Sequence, residues 1–296
     1  MKSPRQFADE LRAQVERMIP KPDQIYSTHA KIRAMTRKFD APGPAMADTR
    51  DFKVKGADYI KAASSDISVR LYVPKTLEKE HADLGPCLIY LHGGGFVTCD
   101  IDSHESLCLR IAAAAGMRVL SVDYRLAPDF PYPAGPDDCE AVLKWALAGQ
   151  GVQHGIDAAN LAIGGDSAGG NMAAYLAQAY RKDLRAQILY YPVMQLAEVK
   201  PQQPGLQDAL QLGVVALNFI IKHYVVGADV QNTRLSPLFE KNLTGLPPAF
   251  VLTCGLDPLR AEGKLYAEHL TRAGVSVQYV HEKTMPHGYL NFSKPF

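Results

Sequence analysis

The sequence predicts an α/β fold in which a mostly parallel central sheet is covered by helices on both faces. From about residue 65 onward, short β-rich runs alternate with helical segments, and most of these runs are nearly continuously apolar. Strands of this kind are buried on both faces, as they are in parallel sheets. The pentapeptide Gly165-Asp166-Ser167-Ala168-Gly169 lies between one such run and a small-residue helical stretch. Ligands of these sheets bind outside the carboxyl ends of the strands, so this turn is where a functional site is expected.

The predicted strands and helices follow one another in a regular order. The first strand, Ile67 to Val73, alternates apolar and polar residues, which is typical of a half-buried strand. Further strands are expected at Cys87 to Leu91, Val119 to Val122, Leu161 to Gly164, Ile188 to Tyr191, Phe250 to Thr253 and Val275 to Val280. Helices are expected at Ser106 to Ala115, Asp137 to Ala148, Ala168 to Arg181 and Ala261 to Ala273.

Two segments fall outside this alternation. Residues 1–47 have the pattern of an amphipathic helix followed by the connector Ala41-Pro42-Gly43-Pro44, and residues 195–226 that of a proline-containing loop followed by an apolar helix. The second segment follows the strand that ends at Tyr191, on the side where the site is expected. We therefore predict that residues 1–47 and 195–226 form a helical cap over a core of residues 48–194 and 227–296.

Composition argues against several classes of partner. The chain of 296 residues has 32 basic and 31 acidic residues and a net charge of +1, so it has no field that favours nucleic acid or an anionic membrane. Neutral small molecules are the expected partners. The longest apolar stretch, Leu212 to Ile221, is too short to span a bilayer, so no integral membrane association is expected.

The cysteines and the N-terminus predict a cytoplasmic protein. The five cysteines are scattered and lack any Cys-x-x-Cys spacing, which argues against a disulfide framework and against a zinc site. Charged residues interrupt Met1 to Met18, so this segment lacks the apolar core of a signal peptide. Neither a metal nor another cofactor is implied.

Ser167 is the candidate nucleophile. A serine hydroxyl reacts only when it is exposed on a sharp turn and a base removes its proton. Gly165 and Gly169 flank Ser167 at positions where larger side chains would clash in such a turn. The alternative is a serine that only caps the following helix, and it leaves the ordered partners downstream unexplained.

The base and the acid are expected downstream of the serine, in the order serine, acid, histidine. Of the downstream histidines, His269 falls in a predicted helix and His281 at the end of a predicted strand, whereas His287 lies in a loop beyond that strand. Asp257 follows the strand Phe250 to Thr253 and precedes a proline, which places it in a turn at a strand's carboxyl end. His287 is therefore the candidate base and Asp257 the acid that orients it.

Backbone amides are the expected donors to the oxyanion of a tetrahedral intermediate, because they are preorganised and carry no net charge. Gly93, Gly94 and Gly95 follow the strand Cys87 to Leu91 and let a carbonyl oxygen approach the main chain. Ala168 supplies a further amide at a helix N-terminus, where the helix dipole favours negative charge.

The sequence resembles the hormone-sensitive-lipase-like family of esterases, also called bacterial family IV, in the subgroup with an aspartate before the nucleophile. The resemblance covers roughly Asp51 to Phe292. It is carried by five motifs in order: His92-Gly93-Gly94-Gly95-Phe96, Asp123-Tyr124-Arg125-Leu126-Ala127-Pro128, Gly165-Asp166-Ser167-Ala168-Gly169-Gly170-Asn171, Gly255-Leu256-Asp257-Pro258-Leu259 and His287-Gly288-Tyr289.

This resemblance implies an α/β-hydrolase fold with a helical cap and ester hydrolysis without a cofactor. It also implies a triad of Ser167, Asp257 and His287, and oxyanion donors at Gly94, Gly95 and Ala168. Short to medium acyl chains are the implied substrates. Phe96, Asp166, Tyr191 and Tyr289 are candidate substrate contacts, whereas His92 is expected to be a structural histidine that forms hydrogen bonds.

Two departures from the family pattern and one family tendency add expectations. Members usually continue into a full C-terminal helix, but this chain ends at Phe296, so that helix is expected to be short or missing. Gln195 stands where relatives often carry an acidic or small residue, which is expected to alter the substrate pocket. Val275 to Val280 is expected to form an edge strand and to mediate a homodimer, because unprotected edges pair readily.

Two other functions remain open at this point. An amidase or an acyltransferase would use the same residues with a different leaving group or acceptor. A non-catalytic small-molecule receptor on the same fold would typically lack the histidine, which is present here as His287.

Overall fold

An eight-stranded sheet forms the centre of the protein. The computed structural model describes residues 42–80, 83–198 and 220–292. Along the chain the strands are β1 (Met46–Val54), β2 (Ile67–Pro74), β3 (Gly85–Leu91), β4 (Arg118–Asp123), β5 (Ile156–Asp166), β6 (Leu184–Tyr190), β7 (Ala249–Leu256) and β8 (Val277–Pro286). They lie in the order β1-β2-β4-β3-β5-β6-β7-β8. Strand β2 runs antiparallel to β1 and β4, and the remaining neighbours are parallel, which confirms the predicted α/β-hydrolase fold class.

Helices connect the parallel strands and cover both faces of the sheet. The alternation of side chains along β3 shows this, because Ile89 and Leu91 belong to one core cluster and Leu88 and Tyr90 to another. Four of these helices are α1 (Glu105–Ala115), α2 (Ala134–Leu147), α3 (Ala168–Ala179) and α4 (Arg260–Arg272). The first cluster includes residues of α2, α3 and α4, and the second includes residues of α1.

Both ends of the sheet differ from the sequence-based expectation. Strand β1 was not predicted, because it is a half-buried edge strand in which Arg50, Asp51 and Lys53 interrupt the apolar pattern. It begins at Met46, two positions before the expected start of the core. At the opposite edge, β8 continues past Val280 as far as Pro286, which pairs with Leu256 of β7. This extension brings the chain directly to His287.

The turn between β5 and α3 lies unusually close to β3. A Cβ atom at Gly165 or at Gly169 would collide with the backbone carbonyl of Leu91. Only glycine fits at these two positions, so the glycines allow the turn to pack on the carboxyl end of the neighbouring strand. The predicted reason for their presence is therefore confirmed.

The predicted cap lies mostly outside the described residues, namely at residues 1–41 and 199–219. Of its second segment, residues 195–198 form a loop and residues 220–224 are helical. The end of the chain after residue 292 is likewise not described, so the expectation of a short C-terminal helix stays a prediction. Across residues 42–80, 83–198 and 220–292, no helix combines the length and the apolar character needed to cross a membrane.

Replacing Gly169 with alanine is expected to lower the free energy of unfolding by more than about 3 kcal/mol, the upper end of the usual cost of overpacking. The added methyl group would meet backbone atoms of Leu91 and His92, which cannot move aside as a flexible side chain can. Urea unfolding followed by circular dichroism measures the change. The control is Gly245→Ala, where no atom lies within 4 Å and only a left-handed φ of 73° opposes the substitution. Equal shifts in the two variants would contradict the close packing.

Candidate active site

Ser167 stands at the tip of the turn between β5 and α3. Its backbone has φ 52° and ψ −114°, outside the regions that non-glycine residues normally occupy. Such a conformation costs on the order of 1–3 kcal/mol and needs support from its surroundings. The Ser167 amide donates to the Tyr190 carbonyl at 3.0 Å, and the Ser167 carbonyl accepts from the Val193 amide at 3.1 Å. Neighbouring backbone therefore holds the unfavourable conformation of Ser167 from both sides of its peptide group.

The structure brings together the three residues predicted as a triad. His287 Nε2 lies 2.9 Å from Ser167 Oγ, and His287 Nδ1 lies 2.8 Å from Asp257 Oδ2. An ionised carboxylate only accepts hydrogen bonds, so Nδ1 carries the proton and Nε2 is free to accept the serine proton. The other carboxylate oxygen of Asp257 accepts from the Leu259 amide at 2.8 Å.

Burial and charge act in opposite directions on His287. Burial lowers the pKa of His287, but the charge of Asp257 and the hydrogen bond to it outweigh burial, so the pKa lies above its ordinary value of 6.5. Asp166 and Glu262 raise it further through their charges. The side chain of Asp257 is fully buried, whereas that of His287 is 33% exposed. The site is thus open to solvent on the histidine side and closed behind the aspartate.

The glycine loop, residues Gly93 to Gly95, follows β3 beside the turn. Gly94 and Gly95 have φ values of 118° and 61°, which other residues rarely adopt. The amide of Gly93 donates to Asp166 Oδ1 at 2.8 Å. Its N–H is therefore already engaged with a carboxylate of the protein. Gly94 and Gly95, together with Ala168 at the start of α3, remain as candidates for binding an oxyanion.

Asp166 is buried beneath the glycine loop rather than exposed beside Ser167. Oδ1 accepts from the Tyr90 hydroxyl at 2.8 Å as well as from Gly93, and Oδ2 lies 3.3 Å from His104 Nε2 and 3.5 Å from Asn291 Nδ2. Burial alone would raise the pKa of the Asp166 carboxyl. The charge of His104 and the hydrogen bonds from His104 and Tyr90 outweigh burial and lower that pKa to about 2.

The motif at residues 123–128 supports the glycine loop. The contacts are made by Tyr124 and Ala127, for which the sequence analysis proposed no individual role. Tyr124 stacks on His92 and donates from its hydroxyl to the His92 carbonyl at 2.7 Å. The amide of Ala127 donates to the Phe96 carbonyl at 3.0 Å. His92 itself donates from Nδ1 to the Gly93 carbonyl at 2.7 Å, in line with the expected structural role.

Three of the predicted substrate contacts lie around the site. Phe96 is buried and stacks on Tyr224 with ring centres 4.0 Å apart. Tyr191, which has a positive φ of 36°, meets the His287 ring edge to face at 4.9 Å. Tyr289 lies beside Tyr191, with ring centres 6.2 Å apart. Tyr191 thus contacts the imidazole directly, and Tyr289 borders the same loop.

Glu262 is a half-buried acid that sequence reasoning missed. It accepts from the Met194 amide at 2.7 Å and from the Gln195 side chain at 3.0 Å, and burial raises its pKa to about 7. Gln195 is also bonded to the backbone of Glu198. The only local signal for Glu262 is its position in the first turn of α4, five residues after the site aspartate Asp257. Acids in a first helical turn are common for unrelated reasons.

Within the described ranges, no group of three or more His, Cys, Asp or Glu side chains is placed to hold a metal ion. The site presents a serine hydroxyl, an imidazole, a carboxylate and backbone amides to a substrate. Together, the fold and this arrangement define an α/β hydrolase.

Comparison with known proteins gives the family. A family model described as the alpha/beta hydrolase fold matches residues 88–291. The chain is 38% identical over 270 residues to carboxylesterase NlhH of Mycobacterium tuberculosis, covering 88% of this chain and 82% of that protein. It is 38% identical over 218 residues to an ethyl acetate hydrolase of Pseudomonas putida, covering 72% and 68%.

A solved structure agrees with these relatives. The ester-hydrolase EH1AB1 from the metagenome of Lake Arreo superposes with a TM-score of 0.88 at 35% identity, over 99% of this chain and 92% of that one. The chain belongs to the alpha/beta hydrolase fold family, in its hormone-sensitive-lipase-like branch, and it is a carboxylic ester hydrolase. The predicted family and enzyme class are confirmed.

Asp166→Asn is expected to make the free energy of unfolding less dependent on pH between pH 5 and pH 2. An Asp whose folded pKa is about 2, against 3.8 in the unfolded chain, contributes stability above pH 4 that is lost as pH falls toward 2. The difference corresponds to about 2 kcal/mol. Urea midpoints measured between pH 5 and pH 2 should therefore converge for wild type and variant as pH falls. Asp183→Asn, at an exposed position, serves as the control and should run parallel to wild type. A constant gap for Asp166→Asn would refute the assignment.

Proposed function

We propose that the protein is a serine carboxylesterase that hydrolyses short- to medium-chain esters through an acyl-enzyme. The observation that carries this proposal is the hydrogen-bonded chain from Ser167 Oγ to His287 Nε2, at 2.9 Å, and from His287 Nδ1 to Asp257 Oδ2, at 2.8 Å. Ser167 attacks the ester carbonyl while His287 takes its proton and returns it to the leaving alkoxide. Water activated by His287 then releases the acid, and Asp257 stabilises the imidazolium in both steps.

The amides of Gly94, Gly95 and Ala168 are the proposed oxyanion donors. The positive φ values of Gly94 and Gly95 support this role, because they fix the orientation of consecutive peptide groups. Ala168 adds the first amide of α3, where the helix dipole favours negative charge. Gly93 is left out of this set because its amide binds Asp166. Asp166 is assigned to holding that loop, in keeping with the subgroup that has an aspartate before the nucleophile.

The surroundings of the glycine loop support a limited acyl pocket. A Cβ atom at Gly95 would lie 2.7 Å from Cδ1 of Ile220, so this side chain already covers the loop. Tyr224, in the same helical segment, stacks on Phe96. Ile220 and Tyr224 lie near the end of the proposed cap insertion, residues 195–226. The relative named ethyl acetate hydrolase supports small esters as substrates.

Assembly and location remain proposals as well. Strand β8 is an edge strand of the sheet, which supports a homodimer formed by edge pairing. Light scattering that gives a mass near the 32.4 kDa of one chain would exclude it. The five cysteines are free thiols, and this supports a reducing compartment such as the cytoplasm.

Hydrolysis of p-nitrophenyl esters from acetate to palmitate tests the proposed function. We expect activity that is highest for short chains and falls toward palmitate. Ser167→Ala and His287→Ala should each lower kcat by at least about 10⁴-fold, because serine and histidine act as one unit. Lys264→Ala, an exposed change on α4, is the control.

Two outcomes would contradict this proposal. A folded wild-type protein without ester turnover would favour a binding function, and full activity in Ser167→Ala would exclude the serine mechanism. Matched p-nitroanilides separate the amidase from the esterase, since turnover of anilides at the rate of the esters would favour the amidase.

The pH profile tests the role of Asp257. His287 must be neutral to act as a base, so kcat/KM should rise with pH through the pKa of His287, which Asp257 raises. Asp257→Asn removes the charge and should move this inflection to lower pH while lowering kcat by about 10⁴-fold. An inflection that stays in place in Asp257→Asn would mean that Asp257 does not control the protonation of His287.

A further inference from the structure

His104 lies where three segments of the proposed site meet. It precedes α1 and is buried, with 2% of its surface exposed. Its Nε2 atom is 3.2 Å from Asp166 Oδ1 and 3.3 Å from Asp166 Oδ2. The same atom is 3.3 Å from the Gly93 amide and 3.3 Å from Asn291 Nδ2. Nε2 donates to the Asp166 carboxylate, so the Gly93 and Asn291 N–H groups, which are also donors, lie beside it and bond to Asp166 instead. Asp166, Gly93 and Asn291 belong to the turn of Ser167, to the glycine loop and to the segment that follows His287.

The opposite side of the imidazole is fixed by a local hydrogen-bonded loop. The Ser103 hydroxyl donates its one hydrogen to the Asp100 carbonyl at 2.7 Å. His104 Nδ1, 3.0 Å from that hydroxyl, must therefore be the donor to it. Two further bonds, between the amides and side chains of Asp100 and Ser103, close the loop. The ring is held by this loop so that Nε2 is directed at Asp166.

The position of Nε2 matters because of what Asp166 holds. Asp166 Oδ1 fixes the Gly93 amide at 2.8 Å, and the next two residues are the proposed oxyanion donors Gly94 and Gly95. The segment after His287 is tied to the same region twice: Asn291 Nδ2 donates to Asp166 Oδ2 at 3.5 Å, and Arg110 of α1 donates to the Leu290 carbonyl at 2.7 Å. A displacement of about 1 Å at a reacting group can cost about 10²-fold in rate.

We propose that His104 is a positioning residue for ester hydrolysis, which sets the glycine loop and the segment after His287 in register with Ser167 without touching the substrate. The proposal rests on the proposed function and extends it to a side chain outside the triad and the oxyanion loop. One buried imidazole would thus control how the turn of Ser167, the glycine loop and the segment after His287 are placed relative to one another.

The test uses two variants. His104→Leu fills the space of the imidazole with an apolar side chain of similar size and removes the contacts of both ring nitrogens. His104→Gln restores one N–H donor through its side-chain amide. For p-nitrophenyl butyrate we expect kcat of the leucine variant to fall by about 10- to 100-fold, with little change in KM. Binding of a trifluoromethyl ketone, an analogue of the tetrahedral intermediate, should weaken by the same factor. His104→Gln should recover part of both.

The matched control is His154→Leu. His154 is a half-buried histidine in the turn before β5, and its ring stacks on Phe52 of β1 at 3.9 Å and meets Trp145 of α2 at 6.0 Å; neither of these two residues belongs to the proposed site. A folded His104→Leu variant with wild-type kcat and wild-type affinity for the ketone would overturn the proposal. Equal losses in His154→Leu would also overturn it, because they would reflect general destabilisation.

Further outcomes separate the remaining possibilities. If His104→Leu does not fold, Ser103→Ala decides by the same two measurements, because it keeps the imidazole but removes its Nδ1 partner, together with the two bonds between the Ser103 hydroxyl and Asp100. Unchanged kcat and ketone affinity in a folded Ser103→Ala variant would then overturn the proposal. Failure of the proposed function would be seen separately, as a wild-type protein without ester turnover or as an active Ser167→Ala variant.

Discussion

The strained backbone of Ser167 is the constraint on which the rest of the site depends. A φ of 52° with a ψ of −114° is unfavourable for any residue with a Cβ, so the conformation persists only while its neighbours hold it. Strand β3 presses against the turn from one side, where Gly165 and Gly169 leave no room for side chains. The chain around β6 holds the other side through backbone bonds at Tyr190 and Val193. Three adjacent parallel strands are therefore needed to expose one hydroxyl.

Those parts of the fold that depend on local pattern could be predicted from the sequence. Strands β3 and β5 could be predicted from short apolar runs, and the sharp turn could be predicted from its glycines. In each case the residues that determine the structure lie within a few positions of one another. Strand β1 could not be predicted this way, because its burial comes from pairing with β2. Its charged residues, such as Asp51 in the salt bridge to Arg70, also interrupt the apolar pattern by which a strand is recognised. His287 and Asp257 could be located from loop position, whereas their mutual distance depends on how far β8 extends.

The supporting residues of the site were harder to find for the same reason. His104 and Asp166 are 62 positions apart, and Tyr124 reaches His92 across 32 positions. A histidine, a tyrosine or an acid in such a segment is chemically ordinary until the fold supplies its partner. Glu262 illustrates this best, since its raised pKa is caused by burial that only tertiary packing creates.

The acids around His287 act on it as a set rather than singly. Asp257, Asp166 and Glu262 all raise the pKa of His287, but they differ in when they are charged. Asp166, with a pKa of about 2, is ionised at neutral pH, whereas burial raises the pKa of Glu262 to about 7, so the charge of Glu262 changes near neutral pH. Glu262 also binds the backbone of Met194 and the side chain of Gln195, at the start of the proposed cap insertion. The same carboxylate therefore acts on the charge of His287 and forms hydrogen bonds at the start of this insertion.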